Sequence, residues 1–127
     1  MSVVLITGSC GLVGSESVEF FSSKGFDVVG IDNNSRLKFF GKDGDINWIK
    51  SSLIKSYKNY IHKNIDIRNY SALEKIYKKY KSSIKLIIHS AAQPSHDWAK
   101  EKPFVDFNIN ALGTLNLLDL TKKQTPY

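Results

Sequence analysis

The feature that most restricts the fold of this chain is a glycine-rich turn directly after a short apolar run near the N-terminus. The run, residues 3–6, is continuously apolar, which is typical of a strand buried on both faces of a sheet. Three glycines at intervals of three residues follow it, and residues 12–24 predict a helix that ends at Gly25. The sequence therefore begins with a strand, a tight turn and a helix.

The same alternation of strand and helix continues along the chain. Apolar runs predict further strands at 27–31, 61–67 and 84–89, and the polar residues 32–36 predict a loop. Further helices are predicted at about 45–57, at 71–80 with a capping box of Ser71 and Glu74, and at 104–121 with Pro103 in the first turn. This pattern predicts one α/β domain over residues 1–127, with a doubly wound parallel sheet in the order 3-2-1-4 and helices on both faces.

Composition limits the class of protein and its partners. The chain has 127 residues, of which 42% are apolar and 24% charged, as in an ordinary soluble domain. No apolar stretch approaches the ~20 residues that span a bilayer. The start also lacks a basic leader, so we expect no membrane partner and a cytoplasmic location. A single cysteine and three scattered histidines predict neither a disulfide nor a metal site.

The net charge of +6 raises the alternative of a nucleic-acid partner. The positive charge comes almost entirely from lysine, whereas nucleic-acid modules usually combine arginine with exposed aromatic residues. The lysines of segment 75–81 lie on the polar side of a predicted helix whose other side is apolar. We therefore interpret them as a solvated helix face and expect no nucleic-acid partner.

The glycine-rich turn has the spacing of a Rossmann dinucleotide-binding motif. Gly8 permits a tight exit from the strand, Gly11 lets the backbone approach a pyrophosphate, and Gly14 lets the helix pack closely on the sheet. The free N–H groups at the helix start would then face the phosphates. Because the turn follows a strand and opens a helix, it predicts a bound dinucleotide rather than a purely structural turn. The candidate cofactor-binding residues here are Gly8, Ser9, Cys10, Gly11, Leu12, Val13 and Gly14.

An acidic residue at the end of the second predicted strand indicates which dinucleotide is bound. Asp32 follows Gly14 by eighteen residues, where a carboxylate accepts hydrogen bonds from the ribose hydroxyls of adenosine. A carboxylate there repels a 2′-phosphate, so the sequence favours NAD over NADP. Arg36 keeps NADP open, because an arginine in this loop can pair with that phosphate. Asn33 and Arg36 join Asp32 among the candidate cofactor-binding residues.

Three further segments extend the pattern: Asp66-Ile67, the small residues around Ala91, Ala92 and Gln93, and Asn110 to Leu118. Together with the glycine spacing, they resemble the extended short-chain dehydrogenase/reductase family of nucleotide-sugar epimerases and dehydratases, over essentially the whole chain. The resemblance implies that Asp66 and Ile67 contact adenine and that Ala91, Ala92 and Gln93 run beside the cofactor. It also implies that Asn110 braces the active site.

Within this family, segments 32–41 and 91–98 most resemble the CDP-paratose/tyvelose 2-epimerase group.

Four other features each have a functional and a structural interpretation. For Cys10, His89 and Trp48 we favour packing over, respectively, a reactive thiol, a general base and a base-stacking platform. The segment His96-Asp97-Trp98 follows the fourth strand at the sheet's carboxyl edge, so a substrate contact and a structural role both stay open.

The resemblance implies transient oxidation of a sugar carbon of a nucleotide-sugar substrate, with NAD as the hydride acceptor. The proton step needs a tyrosine followed four residues later by lysine, which the family places after a fifth strand. This sequence ends at Tyr127, before such a strand, and we interpret Tyr77 and Lys81 as a chance match in a packed helix. We therefore assign no catalytic residue and expect the NAD-binding part of a larger enzyme.

The predicted last helix is apolar all round, so it should be buried on more than one side and could support a homodimer. Two alternatives to an epimerase part stay open: a non-catalytic dinucleotide-binding or regulatory module, and half of an NADP-dependent reductase.

Overall fold

The computed structural model, which describes residues 1–125, contains a four-stranded parallel sheet in the order β3-β2-β1-β4. The strands are β1 (Val3–Thr7), β2 (Asp27–Ile31), β3 (Tyr60–Lys63) and β4 (Ile84–His89). Central strand β1 pairs with β2 on one side and with β4 on the other. The predicted sheet and strand order are therefore confirmed, and the order reverses beside β1.

Helices connect the strands on both sides of the sheet. They are α1 (Leu12–Ser23), α2 (Ser35–Phe40), α3 (Asn47–Ser56), α4 (Tyr70–Tyr80), α5 (His96–Glu101), α6 (Pro103–Phe107) and α7 (Gly113–Gln124). A π-helical segment, Asn108–Leu112, joins α6 to α7, and single 3₁₀ turns follow α2 and α4. The helices predicted at 12–24 and at 45–57 agree with α1 and α3 to within two residues at each end.

Alternate residues of β1 enter two separate cores. Val3 and Leu5 pack with α4 and α7, whereas Val4 and Ile6 pack with α1 and α3. All four side chains are fully buried. Because successive side chains of a strand point to opposite faces, this division requires helices on both faces of the sheet.

The third strand is shorter than predicted. It ends at Lys63 rather than at residue 67, because its partner β2 ends at Ile31, which is paired with Lys63. Ile67 lies beyond the strand, yet its side chain joins the core of α4 and α7. The strand's length is therefore set by its neighbour, not by its own apolar run.

The helix cap predicted at Ser71 is also wrong. The cap is Asn69, whose side-chain oxygen accepts a hydrogen bond from the Ala72 N–H at 3.1 Å, so α4 begins at Tyr70. Glu74 forms an ion pair with Lys78 at 3.1 Å instead of closing a capping box. Asparagine competes well with serine for this position, because both offer an oxygen to the free N–H groups.

Two short helices were not predicted. The expected loop 32–36 already turns into α2 at Ser35, and α5 begins after Ser95, whose side chain accepts from the Trp98 N–H at 3.3 Å. These helices contact each other through Phe39 and Trp98, whose ring centroids are 5.2 Å apart. Helices this short depend on such tertiary contacts, so their sequences alone give a weak signal.

The last helix extends from Pro103 to Gln124, with proline in its first turn as predicted. One side packs on α4 and the sheet, but among residues 1–125 the predicted burial on more than one side is not observed. Five apolar residues of this helix are exposed: Phe104 (83%), Phe107 (63%), Leu112 (38%), Leu115 (58%) and Leu118 (63%). Trp48 is likewise 72% exposed, so the expectation that it lies in the core is wrong. Among residues 1–125, no helix is long and apolar enough to cross a membrane.

Candidate functional site

A cleft of about 230 Å³ lies at the carboxyl ends of the strands, where the strand order reverses. Twelve of the predicted cofactor-binding residues line it: Gly8, Gly11, Leu12, Val13, Gly14, Asp32, Asn33, Arg36, Asp66, Ile67, Ala91 and Ala92. Four others, Ser9, Cys10, Gln93 and Asn110, lie behind this lining. The structure thus brings most of the predicted residues together around one cavity.

The glycine turn is held by close backbone contacts. Gly8 has a φ of +67°, and a Cβ there would lie 2.8 Å from the Ala91 nitrogen, so the residue after β1 must be small for the segment after β4 to approach. A Cβ on Gly14 would lie only 1.9 Å from the Gly8 oxygen. The helix can therefore pack this closely on the turn only with glycine at that position.

The start of α1 presents backbone N–H groups at the cleft. The first helical hydrogen bond runs from the Ser15 N–H to the Gly11 oxygen at 2.9 Å, and no side chain of the described residues caps the helix. The N–H groups of Leu12, Val13 and Gly14 therefore have no intrahelical acceptor. Such groups, together with the helix dipole, favour an anion in the cleft.

Asp32 directly follows β2, and its carboxylate contacts the glycine turn. One carboxylate oxygen accepts from the Cys10 N–H at 3.1 Å and the other from the Asn34 N–H at 2.9 Å. Each oxygen has a second lone pair, so the carboxylate can still accept hydrogen bonds from a ligand in the cleft. Asp32 therefore both fixes the glycine turn and offers acceptors to the cavity.

The Asp66 carboxylate, which the family resemblance places against adenine, is hydrogen-bonded to Arg68 in this structure. Its carboxylate accepts from Arg68 through the backbone N–H at 2.9 Å, through Nε at 3.0 Å and through Nη2 at 2.6 Å. Burial alone would raise the pKa of Asp66, but the hydrogen bonds from Arg68 lower it below the ordinary value of 3.8. The carboxylate is thus ionised and oriented by Arg68, while Ile67 beside it supplies an apolar part of the cleft wall.

Behind the cleft, a hydrogen-bond network orders the segment after β4. Asn110, in the π-helical segment, accepts from the Gln93 N–H at 2.8 Å and donates to Asp106 at 3.0 Å. The Gln93 side chain is buried and also donates to Asp106, at 2.9 Å. Asn110 and Gln93 therefore brace the backbone that carries Ala91 and Ala92. Short π-helical segments within α-helices often occur at functional sites.

Cys10 and His89 each form side-chain contacts with neighbouring residues. Burial, and then the neighbouring Asp32 carboxylate, raise the pKa of the Cys10 thiol to about 11. His89 bridges two hydroxyl groups, that of Thr7 at 2.7 Å and that of Thr114 at 2.8 Å, and burial lowers the pKa of its imidazole. Cys10 is fully buried, which agrees with the interpretation as a packing residue, whereas His89 is exposed at the end of β4, so its structural role stays a prediction.

Tyr77 and Lys81 do not meet at the cleft. The Tyr77 side chain is fully buried, and its hydroxyl lies 3.1 Å from the Thr121 hydroxyl and 3.3 Å from the Leu117 oxygen. Lys81 lies at the exposed end of α4 with a φ of +41°. The interpretation of this pair as part of a packed helix is confirmed.

Six residues that line the cleft were not predicted from the sequence. They are Ile31, Ser35, Ile65, Ser90, Pro94 and Ile109. Ile31 and Ser90 lie beside residues that were predicted, so the strand ends gave a signal for them. Ser35 and Pro94 depend on the short helices α2 and α5, which were not predicted. In α5, Trp98 packs on Phe39, and His96, Asp97 and Trp98 do not line the cleft.

The donors and acceptors of the cleft fit a dinucleotide. Free N–H groups and glycines face the position of a pyrophosphate, a carboxylate faces that of a ribose, and Ile31, Ile65 and Ile67 form apolar walls. Within residues 1–125, no group of three or more histidine, cysteine or acidic side chains could hold a metal ion.

Comparison with known proteins gives matches over almost the whole chain. The sequence profile of the NAD dependent epimerase/dehydratase family matches residues 4–127. UDP-glucuronate 4-epimerase of Thermodesulfobacterium geofontis is 34% identical over 122 residues, which cover 96% of this chain and 36% of that protein. CDP-paratose 2-epimerase of Salmonella typhi is 33% identical over 120 residues, which cover 94% of this chain and 32% of that protein.

The fold of this chain is also similar to that of a solved epimerase structure. UDP-glucose 4-epimerase of Thermus thermophilus, in a complex with NAD, is 27% identical with a TM-score of 0.70, covering 96% of this chain and 34% of that one. The chain thus spans about a third of the length of the curated relatives that it matches. The predicted fold and family are confirmed, and NAD is that family's cofactor. This chain belongs to the NAD dependent epimerase/dehydratase family.

Proposed function

We propose that this chain binds NAD in the cleft and forms the cofactor-binding part of a nucleotide-sugar epimerase or dehydratase. The observation that carries the proposal is that the uncapped N–H groups at the start of α1 and the Asp32 carboxylate line the same cavity. The first favours a pyrophosphate and the second favours a ribose with free hydroxyls. NAD presents these two groups at neighbouring positions.

Each wall of the cleft has a part in this proposal. The N–H groups of Leu12, Val13 and Gly14 bind the pyrophosphate, and Asp32 and Asn33 bind the adenosine ribose. Asp66 and Ile67 contact the adenine. Ala91 and Ala92 leave room for the cofactor beside β4, because their side chains are small. We assign all sixteen residues named from the sequence to this one site, in which Gln93 and Asn110 brace the segment that carries Ala91 and Ala92.

Arg36 is the residue that favours the alternative cofactor. It lines the cleft, and its guanidinium lies over the Phe40 ring at 5.3 Å and forms no ion pair with another described residue. It is therefore free to meet a 2′-phosphate, but the Asp32 carboxylate opposes that phosphate. The family's use of NAD supports NAD, rather than NADP, as the cofactor of this cleft.

The chemistry that NAD supplies when bound is the acceptance and return of a hydride. This chain's residues bind and orient the cofactor, whereas the proton transfer requires a tyrosine and lysine that the described cleft does not contain. We propose that other residues of a larger enzyme provide this pair and most contacts to a nucleotide sugar. The small volume of the cleft, below the ~300–1,000 Å³ of usual ligand pockets, supports an incomplete site.

The relatives include both UDP-sugar and CDP-sugar epimerases at nearly equal identity, so membership of the CDP-paratose/tyvelose group stays a prediction. The exposed apolar side of the last helix supports the proposal of a homodimer through that helix. A cytoplasmic location, and the lack of nucleic-acid and membrane partners, also stay predictions.

The proposal is tested by calorimetric titration of the purified chain with NAD and with NADP. We expect NAD to bind and to be preferred over NADP, and we expect no turnover of UDP- or CDP-sugars. Preference for NADP would favour the reductase alternative. Binding of neither dinucleotide would refute the assignment of the cleft.

A further inference from the structure

Tyr60 reaches from the edge of the sheet to the glycine turn through a gap left by Gly30. It lies on β3, two strands from β1, and Gly30 of β2 stands between the two. A Cβ on Gly30 would lie 2.6 Å from the Tyr60 hydroxyl and 2.7 Å from the Ser9 Cβ. The tyrosine ring and Ser9 therefore occupy the space that a side chain of β2 would otherwise fill.

The Tyr60 hydroxyl connects two polar residues in this gap. It lies 3.1 Å from the Ser9 hydroxyl and 3.0 Å from Nδ1 of His62. Ser9 is fully buried and Tyr60 is 5% exposed. Burial raises the pKa of Tyr60 and lowers that of His62, so the phenol keeps its proton and the imidazole is neutral near pH 7. Nδ1 of neutral His62 can accept a hydrogen bond from the Tyr60 hydroxyl, and the Tyr60 oxygen can then accept one from the Ser9 hydroxyl.

Ser9 lies at the middle of the glycine turn, so this connection bears on the cleft. The Gly8 N–H donates to the Ile31 oxygen at 2.7 Å, and the Gly11 N–H donates to the Gly8 oxygen at 2.9 Å. The Cys10 N–H donates to Asp32. The backbone is thus held at several points, and the Ser9 side chain is held by Tyr60. Loss of that anchor lets the centre of the turn shift.

We propose that Tyr60 is a positioning residue for NAD, which acts through Ser9 to hold the glycine turn in the geometry that binds the pyrophosphate. This inference rests on the proposed function of the cleft. Tyr60 does not line the cavity, and it occupies no position of the glycine motif. Its effect should therefore fall on ligands that carry a pyrophosphate and spare those that carry only the nucleoside.

The test compares ADP-ribose with adenosine in Tyr60→Phe. We expect ADP-ribose and NAD to bind roughly tenfold more weakly, as for the loss of one or two hydrogen bonds. Adenosine affinity, measured by NMR titration, should change by less than about twofold. The matched control is Tyr77→Phe, which also removes a buried, hydrogen-bonded tyrosine hydroxyl but lies away from the cleft. It should lower the melting temperature similarly and leave both affinities unchanged.

Ser9→Ala breaks the same connection from its other end and decides the question if Tyr60→Phe fails to fold. The double variant should bind ADP-ribose no more weakly than either single variant, because both act through one hydrogen bond. Equal losses for adenosine and ADP-ribose, additive effects in the double variant, or an effect matched by Tyr77→Phe would overturn the inference alone. If the unaltered chain binds neither NAD nor ADP-ribose, the proposed function fails and this inference fails with it.

Discussion

Replacement of Gly14 by alanine tests the packing of the glycine turn most directly. The added Cβ would lie 1.9 Å from the Gly8 oxygen and 2.6 Å from its carbonyl carbon, far inside the 3.0 Å that real Cβ atoms respect. Both contacts are backbone, so no flexible side chain can move aside. Alanine favours a helix over glycine by about 0.5–1 kcal/mol, whereas overpacking of this kind costs about 3 kcal/mol or more.

The net expectation for Gly14→Ala is a loss of about 2 kcal/mol or more in the free energy of unfolding. For a domain of this size, that lowers the melting temperature by roughly 8 °C. Thermal and urea unfolding followed by circular dichroism measure the change. The unaltered chain must unfold in a single transition for the comparison to be valid.

Gly11→Ala is the matched control within the same turn. Its φ of −78° suits alanine, and a Cβ there would lie 3.3 Å from the Gly8 oxygen, which is tight but tolerable. We expect nearly unchanged stability and weaker NAD binding, because this Cβ enters the cleft. A Gly14→Ala chain that is as stable as the unaltered one would refute the packing argument, as would equal destabilisation by both substitutions.

Three further predictions follow from the site and from the last helix. Asp32→Ala should weaken NAD binding about tenfold or more and narrow the preference over NADP, and unchanged calorimetric affinity would refute the ribose assignment. The pKa of the Cys10 thiol is raised to about 11, so only about one Cys10 side chain in a thousand is ionised at pH 8. Iodoacetamide should therefore label Cys10 slowly until the chain unfolds, and fast labelling of folded protein would contradict its burial. Leu118→Lys should reduce self-association in sedimentation velocity, since Leu118 is 63% exposed on the apolar side of its helix. An unaltered distribution of species would exclude that side as the contact.

The central part of the fold could be predicted because its signals are local. A continuous apolar strand, three spaced glycines and an acidic residue at the next strand end determine the βαβ unit and one side of the cleft. Strand order followed from the position of the glycine turn. These features depend on backbone conformation and on burial of both sheet faces. Both can be inferred from the residue types at neighbouring positions of the sequence.

The errors arose where distant contacts decide the structure. The end of β3 depends on where β2 stops, and α2 depends on the contact between Phe39 and Trp98. Trp48 is apolar in sequence but lies at an exposed helix start. Tyr60 carried no motif, because its role arises only when Gly30 leaves space beside Ser9. No pattern along the chain reports a gap across three strands.

The gap at Gly30 also constrains the order in which this protein can change during evolution. A larger residue at position 30 meets Tyr60 and Ser9 at once, at 2.6 and 2.7 Å. Substitution at Gly30 is therefore disfavoured until both neighbours have become smaller, whereas Tyr60 can be replaced first without a clash. The effect of each substitution depends on those that precede it, as expected for residues in direct contact. Homologous sequences should accordingly combine a bulky residue at position 30 only with small residues at positions 9 and 60.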